Sequence, residues 1–133
     1  MIRESEIETL VDAFYAKVLE DAELGPVFNG AIDDWPHHLV KLQAFWSSVM
    51  LTTGRYKGSP MSAHIRHSSA IAPEMFDRWL ALWRETARER LSPETAEEII
   101  AKAERIGESL KLALFFRIDP DGQLRTNARA AGF

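Results

Sequence analysis

The stretch Ser5-Glu6-Ile7-Glu8-Thr9-Leu10-Val11-Asp12-Ala13-Phe14-Tyr15-Ala16-Lys17-Val18-Leu19 decides the fold class. Its large apolar residues are Ile7, Leu10, Val11, Phe14, Tyr15, Val18 and Leu19, at steps that alternate three and one. A strand needs an apolar residue at every second position, whereas a helix gathers steps of three and four onto one face. The segment therefore reads as an amphipathic helix. Ser5 and Glu8 stand at the spacing of a capping box, which would start it. Gly25-Pro26 and Asn29-Gly30 break the pattern downstream.

Three further helices follow. Either Asp33 or Asp34 can cap the second, with Pro36 in its first turn. It carries Trp35, Leu39, Leu42, Phe45, Trp46, Val49 and Met50 and ends at Thr52-Thr53-Gly54. From Gly54 to Pro73 the periodicity dissolves, leaving room for a short helical turn around Met61–His67. Irregular stretches of that length in small domains are usually functional. A third helix runs from about Pro73 to Arg90, with Met75, Phe76, Trp79, Leu80, Leu82 and Trp83 inward. Ser92-Pro93 caps and opens a fourth, whose stripe is Ala96, Ile99, Ile100, Ala103, Ile106, Leu110, Ala113 and Leu114. Asp119-Pro120-Asp121-Gly122 is a turn, and the residues after it read as a loose tail. The architecture is all-α, four substantial helices and one irregular segment, with no strand-type alternation.

The 133 residues suit a single domain. A net charge of -4 offers no excess of cations to a phosphate backbone, so nucleic acid is not an expected partner. With no cysteine, disulfides, thiolate metal sites and cysteine nucleophiles are excluded. The first residues lack a basic-then-apolar leader, and no run approaches the ~20 apolar residues that cross a bilayer. A cytoplasmic protein with no membrane contact is the expectation.

All four histidines lie in two places: His37 and His38, then His64 and His67. His38 shares a helix face with Leu42, Phe45 and Val49, so its imidazole points toward the core or a pocket. His37 is turned about 100° away and is expected at the surface. His64 lies where regular structure is interrupted, in a position to be aimed at a site. Phe14, Tyr15, Phe28, Phe45, Trp46, Phe76, Trp79 and Trp83 fall on or beside inward stripes. Most are simply core. Tyr15 and Trp79, however, bring an O–H and an N–H that need partners when buried. Two polar aromatics and a histidine in an apolar cavity suit a flat ligand with a polar reactive centre. Composition and spacing do not identify it.

Local strings carry more. Phe14-Tyr15-Ala16-Lys17-Val18, followed by Leu24-Gly25-Pro26-Val27-Phe28, resembles the early part of bacterial truncated haemoglobins. Trp35-Pro36-His37-His38 and Phe45-Trp46 resemble the distal helix of the group III members. Gly54-Arg55-Tyr56-Lys57-Gly58-Ser59-Pro60-Met61-Ser62-Ala63-His64 resembles the segment leading into their proximal histidine. Phe76-Asp77-Arg78-Trp79-Leu80 is similar to the start of the helix that supplies a pocket tryptophan. The likeness spans roughly Ser5 to Phe116. The paired-glycine motifs of other truncated haemoglobin groups are missing, and the tail after Phe116 has no counterpart.

The resemblance implies a truncated globin-like two-over-two helical sandwich around haem b, one domain over 1–133 with a loose tail from about 118. His64 would be the proximal iron ligand. Tyr15, His38 and Trp79 would line the distal side and meet a bound gas, with His38 also a candidate sixth iron ligand or gate. Phe28 would pack on the haem plane, and Leu42 and Phe45 would form part of the distal wall. Lys41, Arg55, Tyr56 and Arg66 would meet the propionates. The implied small ligands are oxygen, nitric oxide, carbon monoxide or peroxide. Several distal donors suit tight binding and slow release. That fits nitric oxide oxidation or peroxide reduction, with electrons from an unidentified donor, better than oxygen storage.

Two other readings stay open at this level. One is a zinc or non-haem iron enzyme using His64 and His67, whose spacing can place both on one face of a turn, with Asp77 or Glu74 completing the set. The other is a cofactor-free helical interaction module.

Overall fold

Helix α1 (Glu4–Glu20) buries Ile7, Leu10, Val11, Phe14, Tyr15 and Val18, the face the opening pattern marks out. The computed structural model describes residues 2–60, 64, 70–118 and 124–126, the last of these and 116–118 by backbone alone. The start of α1 differs from the expected Ser5–Glu8 box. The Glu6 carboxylate accepts the Arg3 backbone N–H at 3.0 Å, so the helix begins just before Ser5.

The pairs Gly25-Pro26 and Asn29-Gly30 do not form a break. They lie inside a short helix, α2 (Leu24–Ala31). Asp21 makes it: its Oδ1 accepts the backbone N–H groups of Glu23 and Leu24 at 2.9 and 3.0 Å. Pro26 falls in the first turn, where its missing N–H has no helical partner to lose. Gly25 is required by close approach, since a Cβ there would stand 2.7 Å from the Leu19 carbonyl oxygen.

Helix α3 (Trp35–Leu51) starts where Asp34 Oδ1 accepts the His37 N–H at 3.2 Å. It stops at Thr52, in the left-handed region at φ 54°, followed by Gly54 at φ 70°. Of its large apolar residues only Trp46 is fully buried; Leu42, Phe45 and Val49 are half-buried, because this face borders a cleft and not a closed core. Most of the turn expected over 61–67 lies outside the described residues, but Pro60 and His64 are both helical.

Helices α4 (Pro73–Arg90) and α5 (Pro93–Phe115) match their expected bounds. Ser92 caps α5, its Oγ accepting the Thr95 N–H at 3.4 Å. Ala113 is exposed, contrary to the expected stripe; it falls at the edge of the face set by Ala103, Gly107, Leu110 and Leu114. Strand β1 (Phe116–Ile118) pairs antiparallel with β2 (Leu124–Thr126), Arg117 opposite Arg125. The turn expected at Asp119-Pro120-Asp121-Gly122 lies outside the described residues.

Helix α1 packs on α3, α4 packs on α5, and α1 on α4 joins the two pairs as a two-over-two sandwich. Phe14 stands where the layers meet. Its ring is edge-on to Tyr15, Trp79 and Trp83 at 4.7, 5.4 and 4.8 Å. Trp83 is stacked between Trp46 (4.5 Å) and Trp79 (5.6 Å). Each such pair adds about 0.5–1.5 kcal/mol beyond area burial. Among the described residues no helix is long and apolar enough to cross a membrane.

Candidate functional site

The half-buried face of α3 is one wall of a cleft of about 250 Å³. Tyr15 from α1, Phe28 from α2, and Phe76 and Trp79 from α4 line it, with Ile106 and Leu110 of α5 beyond them. A second hollow of about 290 Å³ shares Phe45, Pro60, Ile106 and Leu110 with the first. Together they fall within the range that small-molecule sites occupy.

His64 also lines the cleft. Its Nδ1 lies 2.7 Å from the Pro60 carbonyl oxygen, one helical turn back. A carbonyl only accepts, so Nδ1 carries a proton, and in that tautomer of the neutral ring the lone pair is on Nε2. Metal-ligating histidines are held by the same kind of second bond. The ring lies over Phe76, with centroids 6.2 Å apart and planes 28° apart.

A different part of the wall carries Tyr15, Trp79 and His38. Tyr15 is 4% exposed, and burial pushes its phenol well above the ordinary tyrosine range. A hydrogen bond from the Trp79 indole opposes that shift. An indole N–H can only donate, so toward Trp79 the phenol oxygen could act only as acceptor. His38 meets Tyr15 edge-on at 6.4 Å and Trp35 at 5.5 Å. Its imidazole is held below the usual histidine range, first by burial and then by the charges of Lys41 and His37. His38 is therefore neutral at pH 7, able to donate from one nitrogen and accept at the other.

The model of the bacterial-like globin family matches residues 3–111. The chain belongs to this family. Within it, the chain is 31% identical over 118 residues to the Group 3 truncated hemoglobin ctb of Campylobacter jejuni, covering 86% of this chain and 92% of that one. The crystal structure of a group III truncated hemoglobin from Campylobacter jejuni superposes with a TM-score of 0.79 at 31% identity, covering 86% and 93%. The group III resemblance of the sequence strings therefore holds over the chain, and globin membership brings haem and a small gas ligand with it.

The residues present fit such a group: an apolar, ring-lined cleft, one tautomer-fixed imidazole, and separate polar donors on its wall. Of the residues assigned to this globin's site from sequence, Tyr15, Phe28, His38, Lys41, Leu42, Phe45, Tyr56, His64 and Trp79 all line the cleft. Lys41 is exposed at its rim. Tyr56 is held by its backbone N–H donating to Ser48 Oγ at 2.9 Å and by Phe45, 5.3 Å edge-on. Gly58 makes room for it, since a Cβ there would stand 2.6 Å from the Tyr56 hydroxyl. Arg55 is not brought to the cleft: its guanidinium pairs with Glu4 at 2.7 Å, at the other end of α1 from the Tyr15 corner. Arg66 lies outside the described residues.

Sequence reasoning gave Phe76 and Trp46 only core roles, yet both line the cleft, as do Leu24 and Val27 of the unforeseen α2. Trp35 was placed only on a helical stripe. Its ring packs against Tyr15, Phe28 and His38, and its indole N–H is buried without a hydrogen-bond partner among the described residues. For the non-haem metal reading, no three His, Asp or Glu side chains come together among the described residues. Asp77 pairs instead with Lys111 at 3.5 Å, and His67 lies outside the described residues.

Proposed function

We propose that this globin holds haem b through His64 Nε2, and that it retains an oxygen ligand tightly for nitric oxide oxidation, with electrons from an external donor. Haem iron with one axial histidine supplies an open sixth position for a diatomic gas. The observation that carries the reading is the buried Tyr15 phenol on the wall of an apolar cleft, with Trp79 and His38 on the same wall. An indole N–H only donates, so a bond from Trp79 would take the phenol oxygen and leave the phenol proton for a ligand on the distal side. Burial at 4% exposure keeps water from competing for that proton. Phe28, Leu42 and Phe45 supply apolar wall. Lys41 and Tyr56 also line the cleft, and they would be the cation and the phenol that meet the haem propionates. Strong retention of the gas disfavours oxygen storage, which needs release.

Peroxide reduction is the second reading. His38 favours it, since a neutral imidazole beside the cleft can take a proton from a peroxide and return it. Two measurements test the proposal. The ferrous haem-loaded protein gives a spectrum that changes on adding carbon monoxide, and its oxygenated form consumes nitric oxide and yields nitrate. Peroxide consumption that outpaces nitric oxide consumption selects the second reading. A chain that takes up no haem refutes both.

A further inference from the structure

We propose that Asp21 is a positioning residue for the gas site: its one carboxylate ties α1, α2 and α4 together and thereby sets where the Trp79 indole stands on the cleft wall that it shares with Tyr15. Asp21 sits just past the end of α1, its N–H donating to the Val18 carbonyl at 3.1 Å. Its side chain is 5% exposed. Oδ1 accepts the N–H groups of Glu23 and Leu24, which starts α2. Oδ2 accepts Arg78 Nε–H at 2.6 Å, across to α4. Each of the three elements carries part of the cleft wall: Tyr15 on α1, Phe28 on α2, and Trp79 on α4 beside Arg78.

A cap alone needs no charge, because asparagine caps as well as aspartate. The second oxygen and its arginine are what the cap leaves unexplained. Charge-assisted bonds of this kind are short and directional, so they fix orientation as well as adding energy. Arg78 itself is 47% exposed, so its contribution is not core burial. The pair holds α4 in one rotation and tilt relative to α1, and the Trp79 indole follows from that setting.

The kinetic part of the test rests on the gas-binding reading above; the spectroscopic part does not. Asp21→Asn keeps the caps and removes the charge. In the haem-loaded protein with carbon monoxide, the Trp79 indole N–H proton resonance (assigned with W79F) shifts in D21N, while the other three indole resonances stay in place. Oxygen dissociation in D21N rises about five-fold, roughly 1 kcal/mol of lost restraint. In the W79F background the same change is less than about 1.5-fold, because the indole it acts through is already gone. Arg78→Met, which touches no cap, gives the same pattern, and Arg78→Lys restores part of it. An unmoved Trp79 resonance overturns the proposal, as does an equal fold-change with and without the Trp79 indole. If Y15F alone leaves dissociation unchanged, the gas role of Tyr15 fails, and the indole resonance still decides the role of Asp21.

Discussion

Tyr15→Phe removes one oxygen from a ring that is otherwise fully packed. Phe14 and Phe28 hold the ring edge-on at 4.7 and 5.6 Å, so its position survives the substitution. On the proposed reading, what is lost is a donor to the gas ligand. A hydrogen bond to a charged acceptor contributes about 1.5–3 kcal/mol, corresponding to a 10- to 150-fold change in release rate. Trp79 offsets part of this, because its side chain lines the same cleft and its indole N–H can turn toward the ligand. The expected increase in oxygen dissociation is therefore near the lower figure, about ten-fold. Stopped-flow displacement of oxygen by excess carbon monoxide measures it directly. The double variant with Trp79→Phe removes the substitute donor and should release oxygen faster still. An unchanged rate in Y15F, with the ring still in place, refutes the donor role proposed for Tyr15.

Gly25→Ala should destabilise the protein by about 1–3 kcal/mol, because its Cβ meets a backbone oxygen that cannot step aside; chemical denaturation measures this. Trp83→Ala should cost about 3–5 kcal/mol, since it empties the centre of the three-indole stack. Asp21 is held below the usual carboxylate range, first by the Leu24 N–H and then by Arg78. The unfolded chain therefore takes up that proton first, and stability falls as pH drops below about 4; D21N flattens this limb. Tyr15 shifts the other way, so its contribution is complete below pH 10 and declines as pH rises beyond it; Y15F removes that decline.

The helices that could be read from sequence are those whose apolar residues form one stripe over four or more turns. α1, α4 and α5 needed only periodicity, and α3 added the Asp34 cap with Pro36 behind it. α2 was hidden because its eight residues include the two signals that usually stop a helix. Pro26 is used here as a first-turn residue and Gly25 as a close-approach one, which becomes visible only once the Leu19 carbonyl is placed against Gly25. The hairpin was hidden for a simpler reason: two three-residue strands carry too few positions for alternation to register. Within the site, Tyr15, His38 and Trp79 could be read because each lies on the inward face of a long helix. Arg55 was assigned to the cofactor by its place in a motif. Its actual partner, Glu4, is 51 residues away in sequence, and local pattern does not report long-range ion pairs. Trp35 lies in the first turn of α3, where its stripe position did not show that its ring would close over Tyr15 and His38.

The most direct measurement is the axial coordination of the haem-loaded protein with His64 replaced by alanine, before and after adding imidazole. The account predicts a ferrous haem with histidine as its proximal ligand in the native chain, loss of that ligand and weaker haem retention in H64A, and recovery of the native spectrum with imidazole. A variant that keeps the native spectrum and the native haem affinity without imidazole contradicts it.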